Sequence, residues 1–340
     1  MNDVFLRACH RDRVTHTPVW FMRQAGRYMS EYRKIREKYS LLEICRQPEL
    51  AAEVTLQPVN KLEVDAAILF SDLLLPFEPM GLPFDFVKGE GPIIHTPIRT
   101  DHDVAQLSNF DPSDGLGHVL KTISILRKDL QDRVPLIGFA GAPFTLASYA
   151  IEGGPSKNYG KTKTLMYSEP ATWHRLCETF ATNIAEYLLA QIEAGVQAVQ
   201  LFDSWVGALN ESDYREFILP HTQSILRTVS AKEVPVLHFG TSTSNLLEIM
   251  SEAGGDVIGV DWRIPIDRAW KLVGTNKAIQ GNLDPTLLLG PPERMLAATR
   301  DILHKVNGRP GHIFNLGHGI LPETPVENVQ ELARYVHAHT

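Results

Sequence analysis

The sequence predicts a mixed α/β fold, a single (β/α)8 barrel of the TIM type with a β-hairpin insertion. Eight short apolar runs alternate along the chain with stretches of helical spacing, which is typical of a parallel sheet covered by helices. Most of these runs end in charged or polar residues. In a barrel the carboxyl ends of all strands meet at one mouth, where enzymes of this fold build their sites. A doubly wound open sheet remains the alternative, because sequence alone does not show whether the sheet closes.

The first apolar run, 19–22, suits a strand buried on both faces. The polar residues Arg23, Gln24 and Arg27 follow this run closely. Gly26 lies between them and lets the backbone turn. Arginine keeps its charge and brings five donors, so it is seldom buried without an anionic partner. One arginine here would most often form a structural salt bridge, but two in five residues favour a site for a carboxylate or a phosphate.

The next elements are less regular. Segment 31–38 is dense in Lys, Arg and Glu and predicts a helix with a solvated face. Segment 48–62 has helical spacing, although Pro58 should kink or end that helix. A second buried-strand pattern occupies 66–70 and runs into Asp72. Segment 84–98 alternates around a turn at 88–91, which predicts the β-hairpin insertion.

From residue 114 onward, helix and strand alternate regularly, with Gly or polar residues at most boundaries. Pro220 should bend the helix that contains it. The predicted helices are 114–130, 169–194, 213–230, 245–252, 267–272, 293–306 and 326–337. The predicted strands are 134–139, 196–202, 234–238, 257–260, 278–280 and 312–316.

The predicted strand ends carry the side chains that chemistry could use. They are Arg23, Asp72, Asp203, Asp261, Asp284 and His318. The alternative is that an Asp in such a place only caps the helix that follows. Capping is the better explanation for Asp284, which stands directly before a proline.

Composition excludes several classes of protein. The chain has 340 residues, 44% hydrophobic and 21% charged, and we expect one domain over 1–340. Its net charge of −7 argues against a general nucleic-acid or membrane surface. Three scattered cysteines without C-x-x-C spacing indicate neither a disulfide framework nor a zinc module. No signal peptide opens the chain and no apolar stretch reaches the ~18 residues of a membrane span, so we expect a soluble cytoplasmic protein.

Segment 152–162 invites comparison with a phosphate-binding loop, but Pro155 stands where that motif requires Gly. We therefore predict a mobile loop over the mouth, with Lys157 and Lys161 solvated. No G-x-G-x-x-G follows a strand, and no H-E-x-x-H is present. The expected site has arginines, carboxylates, a tyrosine and a histidine, with no cofactor and no metal.

Six motifs resemble the uroporphyrinogen decarboxylase family, and the likeness covers essentially the whole chain. They are PVWFMRQAGRY (18–28), ILFSD (68–72), GFAGAPFTLASY (138–149), LFDSW (201–205), GNLDP (281–285) and NLGHG (315–319). One departure is Met29-Ser30, where the family commonly has Leu-Pro. That departure lies beyond the arginines.

The resemblance implies a cofactor-free enzyme of haem biosynthesis, a homodimer of single-barrel subunits. It would remove CO₂ from the four acetate side chains of uroporphyrinogen III and give coproporphyrinogen III. Carried over by position, Asp72 and Arg23 would be catalytic, with Asp72 holding the pyrrole N–H groups at the centre of the macrocycle. The substrate-binding residues implied are Arg23, Gln24, Ala25, Gly26, Arg27, Asp72, Tyr149, Ser204 and His318.

The residue types suit this chemistry. An acetate on a pyrrole loses CO₂ only if the ring can accept the electron pair, and protonating a ring carbon makes the ring electron-poor. A carboxylate fixed beneath the pyrrole N–H groups stabilises that cation, most strongly in apolar surroundings such as those of Asp72. Arg23 is a reluctant proton donor because its pKa exceeds ~12, so water or another side chain could deliver the proton.

Two rival functions follow from the same residues. Corrinoid-linked methyltransferases of this superfamily use a zinc site with a His-x-Cys pair, whereas the comparable stretch here is His238-Phe239-Gly240. A tetrapyrrole carrier would need the arginines, but it would not need a carboxylate under the ring nitrogens. Asp72 therefore separates an enzyme from a carrier.

Overall fold

The computed structural model describes residues 2–87, 89–131 and 133–340. Nine strands form two sheets in these ranges. They are β1 (Ala67–Ile68), β2 (Phe84–Val87), β3 (Gly91–Ile94), β4 (Leu136–Gly141), β5 (Ala198–Asp203), β6 (Val236–Gly240), β7 (Val257–Gly259), β8 (Ala278–Gln280) and β9 (His312–Ile313). The main sheet is parallel throughout, in the order β1-β4-β5-β6-β7-β8-β9. The predicted parallel fold is confirmed.

The segment around Val19 takes the eighth position and closes the sheet. On one side Val19 forms a parallel bridge with Phe314, just beyond β9. On the other side the Asp65 N–H, just ahead of β1, donates to the Val19 carbonyl at 2.7 Å. The two edges of the seven-stranded sheet are thus joined through one short segment, and the result is a barrel. We call the carboxyl ends of its strands the mouth and their amino ends the floor.

The prediction of a full strand at 19–22 was too long. The Phe21 N–H donates to the side-chain oxygen of Gln24 at 3.1 Å, and the Met22 N–H donates to the side-chain oxygen of Asn315 at 3.2 Å. Side chains thus replace the backbone partners that a ladder would supply. The backbone then turns at Arg23, whose φ is +59°.

The hairpin insertion is confirmed. Strand β2 pairs antiparallel with β3, with Phe84 opposite Ile94 and Val87 opposite Gly91. The predicted turn at 88–91 includes Lys88, which lies outside the described residues.

Helices surround the sheet. The α-helices are Val4–Cys9, Ser30–Arg36, Leu41–Arg46, Pro48–Lys61, Asp101–Ala105, Pro112–Gly115, Gly117–Leu130, Pro143–Glu152, Gly160–Ser168, Pro170–Ala194, Glu211–Phe217, Leu219–Ser230, Leu247–Ala253, Ile266–Val273, Pro292–Val306 and Val326–Ala338. Short 3₁₀ helices are Leu75–Phe77, Val206–Ala208 and Pro285–Leu289. No helix in the described ranges is long and apolar enough to cross a bilayer.

Several helix predictions needed correction. Pro58 was expected to kink or end its helix, and it does not end it, because the helix continues to Lys61. The helix predicted at 213–230 breaks at Ile218, because Pro220 lacks an N–H and suits the first turn of a new helix.

Two helices between β4 and β5 were missed. In Pro143–Glu152 nearly every side chain is buried, so no polar face marks a helical period. The expected mobile loop at 152–162 is also shorter than predicted, because its last residues begin the helix Gly160–Ser168.

Two apolar clusters form the core. The larger cluster lies between the sheet and the helices. The smaller one draws side chains from around the barrel, including Trp20, Ile137, Leu237 and Ile313, and it also contains Phe5 from the first helix. That helix packs against β9 and closes the floor. Ligands therefore have the mouth as the open end.

Candidate active site

The turn that follows Met22 presents two arginines at the mouth. Gln24 is fully buried beneath it: its side-chain oxygen accepts from Phe21, and its side-chain nitrogen donates to the Ala66 carbonyl at 3.1 Å. The Tyr28 hydroxyl donates to the Gln24 carbonyl at 2.6 Å. These bonds give the Gln24 side chain a structural task, holding the turn, so any part it plays in ligand binding stays a prediction.

Arg23 and Arg27 have exposed side chains. Within residues 2–87, 89–131 and 133–340, neither guanidinium forms an ion pair with a carboxylate. Internal salt bridges were the alternative explanation for this pair, and the geometry does not support it. Both charges, with Ala25 and Gly26 as half-buried backbone between them, are free to meet an anion.

Asp72 follows β1 at the mouth and is half-buried. Its Oδ1 accepts a hydrogen bond from the Leu74 N–H at 2.9 Å. Burial raises the pKa of Asp72 to about 6, against the opposing effects of that N–H and of the Arg23 charge. The carboxylate is therefore under-solvated and lies close enough to Arg23 to feel its charge. A cationic ligand, or one that carries N–H groups, would stabilise this carboxylate more than it would a fully solvated one.

Tyr149 lies in the helix Pro143–Glu152 and is half-buried, with its ring centroid 6.1 Å from that of Trp205. Burial raises the pKa of its phenol, and the charge of Asp72 adds to this while Arg23 opposes it. Tyr149, Asp72 and Arg23 therefore belong to one electrostatic neighbourhood, and the phenol keeps its proton as a hydrogen-bond donor.

Ser204 and His318 line a cleft of about 400 Å³. Its other lining residues are Lys157, Tyr159, Trp205, Gly207, Ala208, Thr241, Ser242, Trp262 and Arg263. Arg23, Asp72 and Tyr149 are not among them. The predicted site therefore has two parts, the cleft and the Asp72 neighbourhood.

His318 connects these two parts. Burial lowers the pKa of His318 to about 4, and the charges of Arg23 and Arg263 lower it further against Asp261. The imidazole is therefore neutral. The Gly319 N–H donates to its Nδ1 at 2.7 Å, so the ring proton lies on Nε2, which can donate.

Gly319 also makes room for Arg23. A Cβ atom at position 319 would collide with Cγ and Cδ of Arg23. The Arg23 side chain thus lies directly over the backbone that follows His318. This contact sets the path of the guanidinium across the mouth.

Asp203, at the end of β5, is fully buried. Its Oδ1 accepts from the Thr145 hydroxyl at 2.9 Å, and its Oδ2 has no hydrogen-bond partner among the described residues. Burial raises the pKa of Asp203 to about 7. The Thr145 oxygen accepts in turn from the Trp205 N–H at 3.2 Å. Asp203 therefore holds the turn that carries Ser204 and does not itself face a ligand.

The two remaining strand-end aspartates are structural. Asp284 accepts from the Thr286 N–H at 2.9 Å and caps Pro285–Leu289, so the capping interpretation is confirmed. Asp261 is buried, accepts from the Ser242 N–H at 2.6 Å and pairs with Arg263. The expectation that functional residues follow the strands therefore identified the open end of the barrel. It did not distinguish side chains that are available to a ligand from those that hold the backbone.

Sequence reasoning missed most of the cleft. Arg263, whose guanidinium carbon lies 4.1 Å from the Trp262 ring centroid, comes two residues after the strand-end Asp261, so the same expectation could have included it. Lys157 is exposed as predicted, but it also lines the cleft. The loop that carries it was predicted to lie over the mouth, but nothing in the sequence indicated that Lys157 itself lines the site.

Among the described residues, one group of three His, Cys, Asp or Glu side chains has ligand atoms close together, namely His16, Asp65 and His337. Asp65 and Val19 are hydrogen-bonded near the amino end of β1, so this group lies at the floor. The three cysteines are buried and unpaired. His238 is fully buried, and burial lowers its pKa to about 4.

Comparison with known proteins agrees with the motifs. Residues 1–339 match the family model described as uroporphyrinogen decarboxylase (URO-D). A uroporphyrinogen decarboxylase from Sorangium cellulosum is 57% identical over 338 residues, covering 99% of this chain and 97% of that protein. One from Carboxydothermus hydrogenoformans is 56% identical over 337 residues, covering 99% and 96%.

Solved structures support the fold. A methyltransferase from Methanosarcina mazei superimposes with a TM-score of 0.82 at 21% sequence identity, covering 98% of this chain and 97% of that one. At that identity the likeness concerns the barrel architecture alone.

Proposed function

The chain belongs to the uroporphyrinogen decarboxylase family, and we propose that it removes CO₂ from the four acetate side chains of uroporphyrinogen III to give coproporphyrinogen III. It is an enzyme of porphyrin and haem biosynthesis, a carboxy-lyase. The observation that carries the proposed mechanism is the half-buried carboxylate of Asp72 beside the unpaired charge of Arg23.

In the proposed reaction, a pyrrole carbon first gains a proton and the ring becomes cationic. The bond between the acetate methylene and its carboxylate then breaks, CO₂ leaves, and the electron pair neutralises the ring. Protonation of the methylene carbon and loss of the ring proton leave a methyl group. In the balance, one proton replaces each CO₂.

Asp72 stabilises the cationic ring. Its carboxylate accepts from the pyrrole N–H groups and offsets the positive charge as that charge develops. The surroundings of Asp72 are poorly solvated, so the interaction is stronger than in water, and the group is in place before the reaction starts. The raised pKa supports this role, because a carboxylate that is short of hydrogen-bond donors gains most from a cation.

The arginines offset the charge of the substrate, which brings eight carboxylates to a protein of net charge −7. Arg23 and Arg27 hold carboxylates in forked pairs. Tyr149, Ser204 and the Nε2–H of His318 add neutral donors. In this proposal Arg23, whose charge acts on Asp72, is close to the reacting ring, but the pKa of an arginine, above ~12, makes it a poor proton donor, so water or another side chain delivers the proton.

We also propose that the enzyme needs no cofactor, that residues 1–340 form one domain, and that it works as a homodimer in the cytoplasm. Family membership supports these four statements. Light scattering on a size-exclusion column measures the mass of the assembly, and a mass of one chain would contradict the dimer.

The test is turnover of uroporphyrinogen III under anaerobic conditions, with CO₂ and coproporphyrinogen III both measured. We expect four CO₂ per substrate from the wild type and very little from Asp72→Asn. Stoichiometric binding without CO₂ release would overturn the enzyme assignment and favour the carrier.

A further inference from the structure

Three residues that are distant in sequence meet at the floor of the barrel, away from the proposed site. Nε2 of His16 lies 3.0 Å from Oδ1 of Asp65, and Nε2 of His337 lies 2.8 Å from Oδ2 of the same carboxylate. The two imidazole rings are in edge contact, with centroids 4.6 Å apart. One carboxylate thus faces two imidazole nitrogens.

The carboxylate of this cluster is held rigidly. Asp65 is buried, its Oδ2 accepts from the Val19 N–H at 2.8 Å, and its Oδ1 accepts from the Asn2 side-chain amide at 3.0 Å. The imidazoles differ from it in exposure, because the side chains of His16 and His337 are 25% and 24% exposed. Solvent therefore reaches part of both imidazole side chains, while the carboxylate is anchored from the protein interior.

We propose that His16, Asp65 and His337 form a binding site for a divalent transition-metal ion, with Zn²⁺ as the reference ion. Imidazole nitrogen and carboxylate oxygen are ligands that zinc prefers in proteins, and three protein ligands leave one position for water. The open position fits the exposed side of the cluster. This site is separate from the decarboxylation chemistry.

The present distances suit such an ion with little movement. Zinc bonds of ~2.0–2.2 Å in a tetrahedral arrangement place ligand atoms roughly 3.4 Å apart. The two N···O separations here are 3.0 and 2.8 Å, and all three ligand atoms lie within 4.8 Å of one another. Small side-chain rotations would bring them to the ion, whose bonds would replace the two N···O contacts. An imidazole that carries its proton on Nε2 would move that proton to Nδ1 as the bond to the ion forms.

Outer contacts for the ligands are also present. Nδ1 of His16 lies 3.2 Å from the Thr15 hydroxyl, which can accept its proton when Nε2 binds an ion. Hydrogen bonds of this kind fix the ring orientation of metal-binding histidines. The Val19 N–H does the same for the carboxylate. The cluster thus has ligands, orienting partners and an entry path.

A bound ion would link the segment before Val19, the segment before β1 and the last helix, Val326–Ala338. An ion that binds only the folded protein stabilises it in proportion to the logarithm of its concentration. The expected role is therefore stability of the barrel floor, without effect on the rate of the chemical step.

The experiment uses chelator-treated full-length protein near neutral pH, titrated with ZnCl₂ by calorimetry and followed by thermal unfolding. We expect one strong site per chain and a Tm that rises with Zn²⁺ but not with Mg²⁺. His16→Ala and His337→Ala should each remove the strong site and the rise in Tm. The matched control is His339→Ala, two residues further along the chain, whose ring stacks on Tyr335 outside the cluster and which should behave like the wild type.

Co²⁺ provides a spectroscopic readout that does not depend on stability. The wild type should show the visible absorption of a low-coordinate Co²⁺ site, and His337→Cys should add a thiolate-to-metal charge-transfer band. Equal Zn²⁺ responses in wild type and His337→Ala, or no binding at all, would overturn the proposal. Decarboxylation should be the same with and without Zn²⁺, so failure of this site leaves the proposed function untouched.

Discussion

Two aspartates seven residues apart lie at opposite ends of the same strand. Asp65 precedes β1 at the floor, and Asp72 follows it at the mouth. Burial by itself would raise the pKa of Asp65, but hydrogen bonds and charge from His337, with Val19 and His16, hold that pKa below its usual value. Burial raises the pKa of Asp72 to about 6, because only the Leu74 N–H and the Arg23 charge oppose the effect of burial.

The difference separates a carboxylate whose hydrogen-bonding needs the fold meets from one whose needs it leaves largely unmet. Both lie near the end of a buried strand. The carboxylate with four donors is satisfied before any ligand arrives, whereas the one with a single N–H is left in need of partners. A ligand rich in N–H groups can supply them at the mouth only.

The first prediction removes the charge at the mouth. We expect Asp72→Asn to lower kcat by about 100- to 1000-fold, the usual loss for one preorganised electrostatic group, with a smaller change in substrate binding. Asp72→Glu should recover part of the activity at best, because the extra methylene displaces the carboxylate. Steady-state kinetics under anaerobic conditions measure this, and a near-wild-type kcat in Asp72→Asn would remove Asp72 from the mechanism.

The same variant has a stability signature. A raised pKa means that folded Asp72 binds its proton more tightly than unfolded Asp72, so the contribution of Asp72 to wild-type stability, measured against Asp72→Asn, should grow as the pH falls from about 6 toward 3.8. Asp72→Asn lacks this term. Above pH 6 it should be at least as stable as the wild type in chemical denaturation, and a clear loss there would mark Asp72 as structural.

The second prediction makes the reciprocal change at the floor. Asp65→Asn places an amide NH₂ against donors that now meet a carboxylate, and we expect the free energy of unfolding to fall by roughly 2–4 kcal/mol. The kcat/KM of the folded fraction should not change. Urea unfolding and kinetics on the same sample measure both quantities. If Asp65→Asn were stable but inactive, Asp65 would be needed for activity and not for stability, and the proposed difference from Asp72 would be wrong.

The third prediction concerns the unpaired arginines. Arg27→Ala should cost about 1.5–3 kcal/mol of transition-state binding, or about 10- to 150-fold in kcat/KM, and leave Tm nearly unchanged. Arg27→Lys should rescue poorly because a point charge does not reproduce the forked geometry. A large fall in Tm with normal kcat/KM in the folded fraction would show that Arg27 is a structural clamp.

The fourth prediction moves Arg23 without mutating it. Gly319→Ala places a methyl group in the path of the Arg23 side chain, and we expect KM to rise by about 3- to 10-fold, a fraction of one charge-assisted contact. Gly117→Ala is the matched control, since a Cβ there meets nothing within 4 Å. Equal KM values in the two variants would mean that the position of Arg23 does not matter.

The smallest expected effect is that of a chelator. Dialysis against a strong chelator should leave kcat unchanged, because the proposed chemistry uses Asp72 and no metal. Any change should appear in Tm, through the cluster at Asp65. If the chelator abolished activity and Zn²⁺ alone restored it, the enzyme would need Zn²⁺ for decarboxylation, and the proposal of a metal-free reaction would be wrong.

Much of the architecture was open to prediction from local patterns. Alternating apolar runs and amphipathic helices indicated the parallel barrel, and the change from an apolar run to Arg23 and Arg27 indicated where we propose that an anion binds. Periodicity failed for Pro143–Glu152, because a helix buried on nearly all sides carries no polar face. The sequence placed Gln24 in the binding motif, yet its side-chain amide accepts a hydrogen bond from the Phe21 N–H and donates one to the Ala66 carbonyl.

By itself the sequence determined the order and type of most elements, the family, and which residues stand at strand ends, because these depend on side-chain pattern and local chemistry. Only the tertiary structure decided how the sheet closes through Val19, and which aspartate is satisfied. The reason is physical: the donors around Asp65 come from positions 2, 16, 19 and 337, and the count of donors around a buried carboxylate sets its pKa. That count depends on which parts of the folded chain meet, and a local pattern does not contain it.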